Sequence, residues 1–230
     1  MIEEPKTLTI QRPDRRPKAA QIAAFQGRAT SFVVDAMYGQ GSLGTAIAPV
    51  SAPLTKRVAG PALTVENPPS DILALVAATA FVGPGDVVVS TVGGHQGCAA
   101  AGDRVCGMLR NGGAAGFVTD GPMRDLPGLE AVDLPAWCTG LNPGSPFTTG
   151  PGKIGTPIHI AGQRVETGDM IVADQDGVVV VPFAQIDAVI ARLATVATLE
   201  ADLDAQVRDG LQTPEAIKAL LESDAVTYLP

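Results

Sequence analysis

Between residues 58 and 119 the chain alternates short β-branched runs with short helical stretches, and this alternation constrains the fold more than any other feature. Val58 to Val65 reads as a strand. Pro68-Pro69-Ser70-Asp71 then starts a helix, with Ser70 as cap and an acid in the first turn. The helix, Ile72 to Phe81, stops at the turn Gly83-Pro84-Gly85-Asp86. Asp86 to Val92 is almost wholly apolar and β-branched, the pattern of a strand buried on both faces. A loop, Gly93-Gly94-His95-Gln96-Gly97, feeds a second helix that ends at Asn111-Gly112-Gly113, and a third strand follows at Gly116 to Thr119. The β-α-β-α-β order requires parallel strands joined by right-handed crossovers, so the fold class is α/β.

The flanks are less regular. Residues 1 to about 17 are polar and broken by proline, and read as an extended arm; within it Arg12 to Arg16 reads as solvated. Ala19 to Phe25 and Ser31 to Met37 read as short helices, the second capped by Thr30 or Ser31. Leu134 to Thr139, Thr156 to Ile160, Met170 to Ala173 and Val178 to Val181 read as strands, the last two joined by the turn Asp174-Gln175-Asp176-Gly177. Residues 140 to 153 read as a Gly/Pro/Thr-rich loop. From residue 183 to 230 the chain reads as C-terminal helices, with an apolar stripe at Leu193, Val196, Leu199, Leu203 and Val207. No repeat or linker interrupts residues 1–230, which read as one domain. The 26 glycines and 19 prolines predict many tight turns.

The charge balance excludes several classes. With 16 basic and 24 acidic residues, the net charge of -8 provides no overall positive field for a nucleic-acid backbone. The longest apolar stretch, Ile72 to Val82, is too short to span a bilayer. The start of the chain shows no apolar signal segment, and the three cysteines, Cys98, Cys106 and Cys138, form no C-x-x-C pair. Reduced thiols and a cytoplasmic location are the expectation.

Chemistry is expected where strands end and helices begin. The Gly93 to Gly97 loop exposes backbone amides suited to a carboxylate or phosphate, or is a plain tight turn. It is not G-x-G-x-x-G and has no Walker lysine. Asp120-Gly121-Pro122-Met123-Arg124-Asp125 follows the third strand. There a carboxylate can hold a hard cation and a guanidinium can clamp an anionic oxygen, or the two form a surface ion pair. Asp103 is read as close to two turns into the intervening helix, among small apolar neighbours. His95 is a candidate general base by its ordinary pKa. Of the five lysines, only Lys153, in the Gly-rich loop, is a candidate for Schiff-base chemistry.

Asp103 followed after twenty residues by Arg124-Asp125, with the Gly-Gly loop before it, resembles the RraA-like family. That family includes regulator of ribonuclease activity A and metal-dependent aldolases of 4-hydroxy-4-methyl-2-oxoglutarate and 4-carboxy-4-hydroxy-2-oxoadipate. The resemblance runs from about Thr30 to Gly210. It includes Val34-Asp35-Ala36-Met37 and the stretch from Val165-Glu166-Thr167-Gly168-Asp169 to Val181-Pro182. It implies a swivelling β/β/α fold with a small-molecule oxo acid as substrate, cleaved to pyruvate, and oxaloacetate decarboxylation as a side activity. Asp125 is implied as ligand of a divalent metal, Mg²⁺ or Mn²⁺, and Arg124 as the group that binds the pyruvyl unit and stabilises its enolate. Asp103 is implied to act through water, and the amides of Gly94, His95, Gln96 and Gly97 to hold the pyruvate carboxylate. A homotrimer or dimer of trimers is implied, with Glu200 approaching the metal through water from a neighbouring subunit. The competing expectations are a non-catalytic regulator of a ribonuclease, which the intact Arg124-Asp125 pair disfavours, and an enzyme of the same fold acting on a different oxo acid.

Overall fold

The computed structural model describes residues 6–229. Its strands are β1 (Leu8–Ile10), β2 (Ala48–Pro49), β3 (Val58–Glu66), β4 (Val87–Thr91), β5 (Gly116–Thr119), β6 (Ala136–Cys138), β7 (Gly152–Ile154), β8 (Ile158–Ile160), β9 (Gln163–Val165), β10 (Met170–Asp174) and β11 (Gly177–Val181). Its helices are α1 (Ala19–Phe25), α2 (Thr30–Ala36), α3 (Leu73–Ala78), α4 (Asp103–Asn111), α5 (Leu126–Val132), α6 (Ile186–Arg208) and α7 (Glu215–Leu221).

Strands β3, β4, β5 and β6 are parallel neighbours, as the alternation requires. Burial of every residue of β4 and β5 explains why neither strand alternates in polarity. Strand β3 belongs to two layers. Its first half, Val58 to Pro61, pairs antiparallel with β10, and its second half, Ala62 to Glu66, pairs parallel with β4. One long strand thereby joins the central sheet to the β10–β11 hairpin.

Three apolar clusters fill the spaces between layers. Helices α3, α4 and α5 cover one face of the sheet around Leu75, Leu109 and Phe117. Trp137, Val89 and Ile171 lie between the sheet and the hairpins. Phe25, Val33 and Leu193 seat α1, α2 and the start of α6 on β10 and β11. These layers are the β/β/α arrangement expected, with a central sheet and C-terminal helices. Among the described residues no helix is long and apolar enough to cross a membrane.

Several local readings are corrected. The arm is not free: β1 pairs in parallel with β7, which occupies the end of the segment read as a loop. Arg15 pairs with Glu166 at 2.6 Å and lies over the Phe183 ring, and Arg16 pairs with Asp86. Arg15 and Arg16 are therefore docked rather than solvated, because the half-buried Glu166 and the buried Asp86, more than 60 residues away, offer them partners, whereas Arg12 stays exposed. Helix α3 is shorter than its apolar run, and Ser70 does not cap it. Asp71 Oδ1 instead accepts the Leu73 amide at 2.8 Å. Neither Thr30 nor Ser31 caps α2. Thr30 is already helical and donates its hydroxyl and amide to the buried Asp174 carboxylate. The stripe on α6 divides: Leu193 is buried, whereas Leu199, Leu203 and Val207 are exposed.

Candidate active site

The loops after β4 and β5 meet at the head of α4 and α5. Asp120, at the end of β5, organises the first loop from beneath. Its buried carboxylate accepts the Val92 amide at 2.7 Å, the Thr91 hydroxyl at 2.6 Å and the Gly94 amide at 3.0 Å. The anion that the Gly93-Gly94 turn embraces is therefore part of the protein itself. The His95 amide donates to the Val92 carbonyl. Of the four amides expected to hold a substrate carboxylate, those of Gly94 and His95 are already engaged. The Gln96 side chain is engaged as well, donating to the Gly94 and Asp120 carbonyls and accepting from the Thr139 hydroxyl. His95 Nε2 lies 2.9 Å from the Ser70 hydroxyl.

The loop does not run directly into a helix. Residues 98 to 102 intervene as an irregular, non-helical segment, with the Ala99 amide on the Gly144 carbonyl and the Ala100 amide on the Pro122 carbonyl. Small side chains suit this segment, since Ala99, Ala100 and Ala101 are all buried. Helix α4 begins only at Asp103, with Gly102 as its cap. Asp103 therefore occupies the first turn rather than the second, where the helix dipole favours an acid. The positive helix end lies beside Asp103, away from the Gly94 to Gly97 turn.

Asp103, Arg124 and Asp125 line one cleft of about 330 Å³, with Arg104 beside them and Ile72, Ala99 and Pro146 as an apolar wall. Asp125 adopts a left-handed conformation (φ 64°) at the head of α5, a conformation Asp tolerates better than most residues. Its carboxylate lies against Gly102, where a Cβ would meet Oδ2 at 2.7 Å. Gly128 performs the same service for Asp103: a side chain there would collide with the Asp103 carboxylate. Two glycines thus give two carboxylates their places at the cleft. Arg124 Nε lies 3.4 Å from Asp125 Oδ2, and its Nη1 donates to the Ser145 hydroxyl at 2.7 Å.

The donor chemistry fits a hard divalent cation. Among the described residues, the Asp125 carboxylate meets only the 3.4 Å approach of Arg124 and that of Asp103 accepts only the Arg104 amide, so carboxylate oxygens remain for a ligand. Among the described residues no group of three or more His, Cys, Asp or Glu gathers around a metal position. One or two carboxylates, completed by water and substrate oxygens, is how Mg²⁺ is commonly held.

Other expected residues lie elsewhere. Lys153, on β7, pairs with Glu66 at 3.2 Å and does not line the cleft. Glu200 lies on α6, which packs against α1 and α2, and does not line the cleft of its own chain. The three cysteines are free and buried. Burial, then the nearby Asp103 charge and Cys138, pushes the Cys106 thiol up to about 12. Sequence reasoning missed Ser145, Pro146, Arg104 and the organising role of Asp120. Asp120 carried a signal, an acid followed by glycine at a strand end. Ser145 carried none, since its partner lies 21 positions away.

The profile of the RraA-like family, Aldolase/RraA, matches residues 30–180. A Halalkalibacterium halodurans protein, provisionally named 4-hydroxy-4-methyl-2-oxoglutarate aldolase, is 36% identical over 201 residues, covering 87% of this chain and 93% of that protein. A solved structure from Pseudomonas syringae pv. tomato, described as an uncharacterized protein, superposes with a TM-score of 0.76 at 25% identity, covering 86% of this chain and 92% of that one. A Streptomyces coelicolor protein, described as an unusual member of the RNase ES inhibitor RraA protein family, superposes with a TM-score of 0.71 at 26% identity, covering 84% and 100%. With its fold matched and the family profile spanning most of its length, the chain belongs to the RraA-like, aldolase/RraA family.

Proposed function

We propose that the protein is a divalent-metal-dependent lyase that cleaves 4-hydroxy-2-oxo acids, of the 4-hydroxy-4-methyl-2-oxoglutarate or 4-carboxy-4-hydroxy-2-oxoadipate type, to pyruvate and a second oxo acid. The observation that carries this reading is the convergence of Asp103, Arg124 and Asp125 on one cleft. Arg124 faces the substrate's 2-oxo acid end, where its planar fork binds the oxygens on C1 and C2. Ser145 holds the guanidinium in that orientation. Asp103 takes up the proton of the C4 hydroxyl, directly or through water. The C3–C4 bond then breaks, its electrons pass to the C2 oxygen opposite Arg124, and a proton delivered to C3 completes pyruvate. A cation held by Asp125, with Asp103 beside it, supplies Lewis-acid neutralisation of the charge developing on that oxygen. Decarboxylation of oxaloacetate forms the same enolate, so the same cleft supports it as a side activity.

The exposed Leu199, Leu203 and Val207 on α6 support association into a trimer or a dimer of trimers. Such assembly is the route by which Glu200 reaches a neighbouring cleft, and light scattering of a monomer at micromolar concentration removes that role. The deciding experiment is coupled pyruvate release from a panel of 4-hydroxy-2-oxo acids, with EDTA and after adding back Mg²⁺ or Mn²⁺. Release that needs the metal is expected. Release that survives chelation and is trapped by borohydride refutes the metal mechanism. No release from any substrate refutes the lyase reading.

A further inference from the structure

A second arginine, one that the reaction does not use, lines the cleft. Arg104, the residue after Asp103 on α4, lines the same cavity as Arg124, is exposed, and enters no ion pair among the described residues. Arg124, by contrast, is held by both Asp125 and Ser145. In a chain of net charge -8, an unpaired arginine at a cleft mouth is a local positive position facing an anionic substrate.

The charges in the cleft can be counted. Asp103 and Asp125 oppose the divalent cation they are proposed to hold. Arg104 and Arg124 then remain to meet substrate charge, which suits two carboxylates. Arg124 faces the 2-oxo acid end, so the second carboxylate, on the far side of the bond that breaks, falls to Arg104. The volume of about 330 Å³ has room for a branched six-carbon diacid. Ile72, Ala99 and Pro146 offer an apolar wall but no other cation for that end.

We infer that Arg104 is the specificity-determining residue that selects oxo acids bearing a second, distal carboxylate. This rests on the lyase reading for the substrate's orientation, but its test does not depend on turnover. Calorimetric titration, with Mg²⁺ present, compares 2-oxoglutarate, a diacid the site cannot cleave, with 2-oxobutanoate, a monoacid. The parent protein is expected to bind the diacid at least 30-fold more tightly. In Arg104→Gln that ratio should fall below about 3-fold, while Arg104→Lys keeps part of it because the charge remains. The same ratio should appear in kcat/KM for diacid and monoacid 4-hydroxy-2-oxo substrates. Arg104 is exposed, so the variants are expected to fold, and an unshifted melting temperature checks this. A parent protein without preference for the diacid, or a preference that survives Arg104→Gln, overturns the inference. If no substrate yields pyruvate yet the binding ratio collapses in Arg104→Gln, the lyase reading fails and the role of Arg104 stands.

Discussion

Replacing Gly102 by alanine is the most selective perturbation this cleft allows. A Cβ at residue 102 would lie 2.7 Å from Asp125 Oδ2 and 3.2 Å from Arg124 Cγ. Ordinary contact begins near 3.4 Å, so the carboxylate must retreat by about 0.7 Å. The backbone itself does not object, because Gly102 has φ -142°, an extended conformation open to any residue. As a helix cap alanine is poorer than glycine by about 1 kcal/mol, and its lower unfolded-state entropy returns about 0.4–1 kcal/mol. Stability should therefore change by less than about 1 kcal/mol, a melting shift under about 4 °C for a chain of this size. Misplacing a reacting group by a distance of this order costs on the order of 10²-fold in rate. A thermal melt read beside a lactate-dehydrogenase-coupled pyruvate assay separates the two quantities. A variant that melts like the parent and turns over within threefold of it would refute the claim that the Asp125 carboxylate must rest against this glycine.

The two neighbours at the cleft should fail differently. Asp125→Asn should weaken metal binding and recover partly at high metal, whereas Arg124→Ala should leave metal affinity intact and lose roughly 2–4 kcal/mol of enolate stabilisation, on the order of 10²–10³ in kcat/KM; metal titration of both variants distinguishes them. Ser145→Ala removes a hydrogen bond to a charged group and should raise KM for oxo acids about 3- to 10-fold with a smaller change in kcat, a split visible in steady-state kinetics. For Asp71, burial raises the carboxyl's pKa, but the amides of Leu73, Thr149 and Gly150 and the Thr149 hydroxyl outweigh it and leave the pKa below 3.8. Its contribution is then present above the unfolded value and lost as pH falls through the folded one, so Asp71→Asn should melt earlier at pH 7 and converge on the parent as pH drops below about 4. With Cys106 pushed up to about 12 and all three thiols buried, a thiol reagent at pH 8 should label the native protein only after unfolding.

Much of the site was legible in the sequence because its chemistry lies in short segments. Arg124 and Asp125 are adjacent, and both follow a strand whose β-branched pattern marks its end. The internal partners of the Gly94 and His95 amides were not legible for a physical reason: glycines before a helix look alike whether the anion they embrace is a ligand or a carboxylate of the same chain. Here it is Asp120, 26 residues on. The start of α4 was misplaced for a related reason. Ala99 to Gly102 have no side-chain pattern that distinguishes helix from irregular chain, and the carbonyls of Gly144 and Pro122 hold Ala99 and Ala100 out of the helix.

The sequence by itself determined the parallel β3-β4-β5 unit, the β10–β11 hairpin and the pairing of Arg124 with Asp125 in one loop. Each follows from periodicity, β-branching or turn chemistry within about ten residues, and such preferences act before any distant contact forms. Only the tertiary structure decided the joining of β1 to β7, the docking of Arg15 and Arg16 on Glu166 and Asp86, and the bracing of Arg124 by Ser145. It also brought Asp103, Arg104 and Arg124 to one cavity. These contacts join residues from about 20 to 150 positions apart. A short strand or a lone arginine carries too little local pattern to name its partner, and burial against the finished sheet supplies the rest of the free energy.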